Sequence, residues 1–292
     1  MAATFDAFQP LPAAGGADGH IVDVLIRERA PRLYASPLWP LARPALYALL
    51  DYRKARAMAD AIAPMGGREA MDHASALLKL TVLTRGLERV PRAGRVIVIC
   101  NHPTGLADGV AVDDALKPIR PDLMFFANAD ALRVNPRLGE VFIPVEWVTA
   151  KRTRDRTRLT LTLAQQALEA EKPIVIFPAG RIARRGEGGR MSDPPWAPSA
   201  LSIARRHGAP ILPVHVAGPP SALFRAFHHV SRELRDITLF HELLNKSGRT
   251  FQLTVGTPIP PEAVGADPAA TVLRLKDYVE RVLPADPDAV FS

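Results

Sequence analysis

Short apolar runs that stop abruptly at Gly, Pro or Asn constrain this chain more than any other feature. They are "RVIVICN" (95–101), "DLMFFAN" (122–128), "EVFIPVEW" (140–147), "PIVIFPAG" (173–180), "PILPVHVAG" (210–218) and "TFQLTVGTPI" (250–259). Each is too short for a stable helix and rich in β-branched or aromatic residues, as a strand buried on both faces requires. Between them lie helical patterns: "DGVAVDDALK", "TRLTLTLAQQALEAEK", "APSALSIARRHG", a stretch from Ala222 to about Leu244, and "TVLRLKDYVERVL". The alternation predicts an α/β fold with a central, mainly parallel or mixed sheet flanked by helices. Ahead of the first run, "MDHASALLKLTVLTRGLERV" (71–90) reads as one more helix, with Leu77, Leu80 and Leu83 or Leu87 on its apolar face.

The chain divides into an expected mobile tail over 1–30, a helical segment over 31–85 and the α/β domain over 86–292. The helical segment begins "SPLWPLARPALYALLDYRKARAMADAI", where Pro40 and Pro44 interrupt the early part. It is too short to span a bilayer but suits the membrane interface. Trp39 and Tyr47 would then lie at headgroup level, with Arg43, Arg53, Lys54 and Arg56 on anionic lipid. The other reading of this segment is a helical lobe packed on the core. The first twenty residues lack the cationic start and apolar run of a signal peptide. A single cysteine excludes a disulfide framework and fits a reducing compartment. The expected location is cytoplasmic, peripheral on the inner face of the cytoplasmic membrane.

Net charge is +7, from 37 Lys+Arg against 30 Asp+Glu, and most of the cations are arginine. That suits carboxylate or phosphate partners. Aromatics make up only 6% and do not interleave with the basic residues, so a nucleic-acid stacking platform is not expected.

In α/β sheets, ligand chemistry gathers where strands end and helices begin. The first buried strand runs into Asn101-His102-Pro103, with Asp108 six residues past the histidine. Bent back, Asp108 would hold one imidazole nitrogen and leave the other free as a base. That is a triad without its protein nucleophile, suited to a substrate hydroxyl that attacks an activated acyl group. The plainer role for Asp108 is a helix cap. Cys100 is a rival nucleophile, and Asn101, His102 and Asp108 are a rival metal set, though no HxH or HExxH pattern supports it.

A second strand end, "IVIFPAGRIARRGEGGR", places Gly180 at a turn followed by Arg181, Arg184, Arg185 and Arg190. Backbone N–H groups beside Gly180 would face an anion or a developing oxyanion, and the arginines would hold phosphate or carboxylate. "KRTRDRTR" (151–158) crowds cations at a helix start against the macrodipole, which hints at an anionic partner or a solvated face. His215 and the pair His228-His229 are expected to be structural.

Taken in order, "NHP" with a following Asp, "VFIPV", "FPAGR" and "ILPVHV" resemble the four blocks of the glycerolipid acyltransferase family, which includes 1-acylglycerol-3-phosphate acyltransferases. The resemblance covers roughly residues 75–260. The strings "HPTGLADG", "FPAGR", "DPPW" and "ELLNKSG" look most like the bacterial hemolysin-like branch tied to ornithine-lipid synthesis. The resemblance implies that 86–292 is an acyltransferase domain with His102 as general base and Asp108 as its orienting acid. It implies an acyl-carrier protein or coenzyme A thioester as co-substrate, with no bound cofactor and no metal. Phe177, Pro178 and Gly180, with Asn101, Arg181 and Arg184, fall on the acceptor and oxyanion side. Leu212-Pro213 matches the fourth block, nearer the acyl chain.

Three departures separate this chain from the common pattern. Five residues rather than four stand between His102 and Asp108, Pro144 and Val145 follow Ile143 where an arginine is usual, and Ala179 replaces a glutamate, with Arg181 where a small hydroxyl residue is usual. The last two point away from a glycerol-phosphate acceptor and toward a zwitterionic lyso-lipid whose carboxylate meets Arg181 or Arg184. The expected activity is O-acylation of a lyso-lipid such as lyso-ornithine lipid. Lysophosphatidic acid acylation in phospholipid synthesis and a catalytically silent peripheral lipid-binding protein are the alternatives.

Overall fold

The computed structural model describes residues 19–146, 152–185, 190–265 and 267–292. Seven strands form one sheet: β1 (Thr81–Arg85), β2 (Val96–Cys100), β3 (Met124–Asn128), β4 (Phe142–Val145), β5 (Pro173–Ile176), β8 (Ile211–Ala217) and β9 (Thr250–Val255). Their order is β1-β9-β8-β2-β5-β3-β4. All neighbours run parallel except β8 and β9. A two-stranded ribbon, β6 (Arg184–Arg185) with β7 (Met191–Ser192), stands apart.

Alternation along β2 explains the two helical layers. Val96, Val98 and Cys100 face one layer with α5 (Gly67–Leu78), α6 (Leu106–Leu116) and α12 (Leu239–Leu244). Ile97 and Ile99 face the other, with α8 (Arg154–Glu169), α9 (Ser199–Arg206) and α13 (Pro268–Asp277). A short helix, α7 (Asp130–Val134), links β3 to β4. After α13 the chain continues through a π-helical turn, Tyr278–Val282. From β2 the chain leaves by α6 toward β3, whereas α9 returns it to β8 on the other side of β2. The C-terminal ends of β5, β2 and β8 therefore flank the point where strand order reverses, the usual crevice for ligand.

The segment 71–90 is not one helix. Lys79 takes a left-handed backbone (φ 48°) that ends α5, and Thr81–Arg85 then pairs with β9 as an edge strand. The stretch 222–244 is three helices, α10 (Ala222–Val230), α11 (Arg232–Asp236) and α12, because Ser231 is extended and caps α11 through its side chain.

The N-terminal region is a helical lobe: α1 (Ile21–Arg29), α2 (Pro31–Tyr34), α3 (Trp39–Leu49) and α4 (Tyr52–Ile62). Residues 19–30 are not a tail, since α1 buries Val22, Leu25 and Ile26; the remainder of the expected tail, 1–18, lies outside the described residues. Pro40 and Pro44 do not break α3, for Pro40 sits in its first turn, where no N–H is needed. Trp39 is buried in the lobe, and Tyr47 is half-buried, stacked on Tyr52 with both hydroxyls donating to Asp23. The expected headgroup anchors thus face inward, while Leu38, Leu41 and Leu49 face outward. No described helix is long and apolar enough to cross a membrane.

Candidate active site

The turn after β2 is built around Asp108. Because α6 starts at Leu106, Asp108 falls in its first turn, and its carboxylate reaches back over the loop. It accepts from the amides of Thr104 (2.9 Å) and Gly105 (3.0 Å) and from the Thr104 hydroxyl (2.6 Å). Gly105 adopts φ 104°, and a Cβ there would stand 2.9 Å from the Ile182 side chain, so the turn requires glycine. Asp108 is wholly buried, and its Oδ2 lies 2.9 Å from His102 Nδ1. That approach is not a hydrogen bond, and Nδ1 has no hydrogen-bond partner among the described residues. Asp108 therefore caps the helix and sets its carboxylate beside the imidazole at once. The five-residue spacing does not prevent the contact.

The His102 ring lies against Phe177 at the end of β5, with centroids 4.6 Å apart and planes tilted by 34°. Its side chain is 17% exposed, and Nε2 has no protein partner among the described residues. A base with a carboxylate beside one nitrogen and the other nitrogen open at a strand end can take a proton from a bound hydroxyl.

Other expected residues fall differently. Asn101 is spent on structure: its side chain donates to the Val216 carbonyl (2.9 Å) and accepts from the Val216 amide (2.7 Å), stitching β2 to β8. Pro178 is buried beside Phe177, and Gly180 (φ 58°) donates its N–H to the Phe177 carbonyl. That amide is thus unavailable to an oxyanion. The amides of Arg181 and Ile182, next along the turn, donate to no described group. Arg181 is exposed. Arg184 is half-buried with its Nε unpaired among the described residues, and burial lowers its pKa, assisted by the charges of Arg235, Arg181 and Arg232 against Asp236. Arg185 and Arg190 are exposed, and 186–189 lie outside the described residues. Leu212 and Pro213 are buried in the sheet.

Cys100 is fully buried, and burial, then the charges of Asp108 and Asp193, push its thiol well above the ordinary value, which removes it as a nucleophile. Nor do Asn101 and Asp108 suit a metal, because their oxygens already accept N–H and O–H donors. His215 Nδ1 lies 2.9 Å from the Val279 carbonyl, and His228 lies edge-on to His229. In the 151–158 run, Thr153 caps α8 and Arg156 pairs with Glu146; Lys151 lies outside the described residues.

Several site residues carried no chemical signal in the sequence. Asp193 accepts the backbone amide of His102 and the Trp196 indole. A buried pair, Lys246 and Glu242 (2.9 Å), supports Ser221, whose hydroxyl donates to the Thr104 carbonyl. The strings "DPPW" and "ELLNKSG" supply Asp193, Trp196, Glu242 and Lys246, but nothing in either string places it beside His102.

A protein-family model described as Acyltransferase matches residues 81–217, which contain the whole His102 turn. The chain is 27% identical to a lyso-glycine lipid O-acyltransferase of Phocaeicola vulgatus over 66% of its own length and 70% of the relative's. It is 24% identical to a lyso-glycine lipid O-acyltransferase of Bacteroides thetaiotaomicron over 74% and 79%. Among solved structures it is similar to the 1-acyl-sn-glycerophosphate (LPA) acyltransferase PlsC of Thermotoga maritima, at 15% identity and TM-score 0.48, over 91% of this chain and 94% of that one. The family-model match and the two lyso-lipid O-acyltransferase relatives support a glycerolipid-type acyltransferase family.

Proposed function

We propose that this acyltransferase moves a fatty acyl group from an acyl-carrier protein or coenzyme A thioester to the hydroxyl of a lyso-lipid, and that lyso-ornithine lipid is its acceptor. The observation that carries the reading is His102, with the Asp108 carboxylate 2.9 Å from Nδ1 and Nε2 open among the described residues. Nε2 takes the hydroxyl proton as the oxygen bonds to the thioester carbonyl carbon. The carbonyl oxygen gains charge against the amides of Arg181 and Ile182. The C–S bond then breaks, and the imidazolium returns the proton to the leaving thiolate. Transfer is direct, with no acyl-enzyme.

Relatives named for lyso-glycine lipid support an amino-acid head group over glycerol phosphate. Arg184, whose buried Nε is unpaired among the described residues, is the cation for the acceptor carboxylate. Free-thiol release from both thioesters, with lyso-ornithine lipid, lyso-glycine lipid and lysophosphatidic acid as parallel acceptors, tests the assignment. The highest kcat/KM is expected with lyso-ornithine lipid. A preference for lysophosphatidic acid would overturn the amino-acid head group, and a preference for lyso-glycine lipid would overturn ornithine alone.

The same reading makes the protein peripheral on the inner face of the cytoplasmic membrane. Leu38 (65% exposed) and Leu41 (79%) on the lobe, beside exposed Arg43, support it. Since burying a leucine is worth about 1.5–3 kcal/mol, Leu38→Asp with Leu41→Asp should weaken binding to anionic vesicles by about tenfold or more. Unchanged co-sedimentation would remove this surface from the account.

A further inference from the structure

Asp193 reaches the catalytic turn from behind. Its two carboxylate oxygens lie 3.1 and 3.0 Å from the His102 backbone amide, and one also accepts the Trp196 indole at 2.9 Å. Its own amide donates to Glu280 in the π-helical turn (2.6 Å), and Glu280 in turn holds Lys276 and Ser192. Asp193 is 6% exposed. It borders a cavity of about 220 Å³ at the C-terminal ends of β2 and β8, flanked by Asn101 and Pro103 and also lined by His215 and Arg225.

We propose that Asp193 is a positioning residue for acyl transfer, whose carboxylate fixes the peptide unit at His102 and sets a second negative charge behind the imidazolium that forms as the acceptor proton is taken. This rests on the acyl-transfer reading above. Asp108 stands beside the ring and Asp193 holds the backbone that carries it, so a carboxylate meets the base at each end of its side chain. The arrangement acts through His102 and touches no substrate.

The charge state of Asp193 distinguishes this role from plain structural bonding. Burial raises its carboxyl from 3.8 to about 7, against the Trp196 bond and the charge and amide of His102, while Glu280 pushes the same way as burial. The other groups facing the cavity do not take over the titration. His215 is shifted down by burial. The sign of the linkage is opposite for stability and for activity. A folded-state carboxyl that keeps its proton longer than the unfolded chain loses stability as pH rises from about 4 toward about 7. Over the upper part of the same interval the proposed positioning charge appears. A group retained only for the fold would gain nothing from that exchange.

The experiment has two readouts on the intact protein. The first follows the His102 backbone amide by NMR from about pH 5.5 to 8.5 without substrate. It should shift downfield with a midpoint near 7, as the acceptor of its hydrogen bond ionises. The second compares wild type with Asp193→Asn. The acid limb of log kcat/KM should be steeper by one proton, that of Asp193, in wild type than in the variant. The kcat of the variant should drop about tenfold or more, with KM within about twofold. An amide that stays flat across the range, or a variant that keeps both the wild-type acid limb and wild-type kcat, overturns the proposal. Absence of transfer by wild type with every lyso-lipid would retire the acyl-transfer reading and this role with it, while the amide titration would still decide the Asp193 contact.

Discussion

Replacing His102 by Ala will lower kcat roughly 10²–10⁴-fold, the range a positioned general base supplies, while the protein unfolds near the wild-type temperature. The fold is spared because the backbone contacts of His102 do not depend on its ring: its amide still donates to Asp193, and its carbonyl still accepts from Ala183 at 2.9 Å. Nor does Asp108 become an orphan, since Thr104 and Gly105 continue to supply three donors. What is lost is the ring against Phe177 and the proton acceptor itself. Turnover measured at saturating donor and acceptor, beside a calorimetric scan, checks both halves. A variant that retains full kcat would remove His102 from the chemistry.

The largest stability effect belongs to Lys246→Met. Lys246 and Glu242 are each 1% exposed, and Lys246 also reaches Asn245 (2.7 Å) and Ser221 (3.3 Å). Removing the ammonium leaves a buried carboxylate without its counter-charge, a loss of about 3–5 kcal/mol. Replacing both members, as Lys246→Met with Glu242→Leu, should recover much of it, because a well-packed apolar pair carries no desolvation penalty. The pH dependence changes sign with the mutation. In wild type, burial is the largest influence and would raise the Glu242 carboxyl, but the hydrogen bond and charge of Lys246, with the Ser221 hydroxyl and the Phe224 amide, together hold it below its ordinary 4.5. Its contribution is therefore present above about pH 4.5 and is lost as pH falls through the lower folded value. In Lys246→Met, burial dominates, Glu242 keeps its proton longer in the folded state, and stability falls as pH rises above about 4.5. Urea midpoints at acid and neutral pH read both effects. A single variant as stable as wild type at pH 7 would contradict the pair's role.

How much of this was visible in the residue string follows from the range of each signal. The buried strands and the helices between them were legible because a strand covered on both faces is an unbroken apolar run, as in β2, β5 and β8. The boundary at Lys79 was not, because the leucines of 71–90 keep a helical spacing through residues that are an edge strand. Only the left-handed backbone at Lys79 marks the break. Trp39 and Tyr47 looked like interface anchors because aromatic type gives affinity for headgroups, whereas tertiary packing buries the first and ties the second to Asp23. At the site, His102 and Asp108 were legible as a local pair six residues apart. Asp193, Ser221, Glu242 and Lys246 were not, since they reach the turn from 91 to 144 positions beyond His102 and only the sheet order brings them there. Asn101 and Gly180 lie on the same strand ends as His102 and Phe177. Their side-chain amide and backbone N–H, however, are engaged by Val216 and Phe177, which neighbouring residue types do not reveal.

The most direct measurement of the central claim is thiol release and intact protein mass after mixing enzyme with acyl thioester, first alone and then with lyso-lipid. Direct transfer through His102 predicts no thiol and no acyl adduct until the acceptor is added, then one thiol released per acylated lipid. A burst of thiol with an acylated protein in the absence of acceptor would contradict it, and would require a protein nucleophile in the reaction.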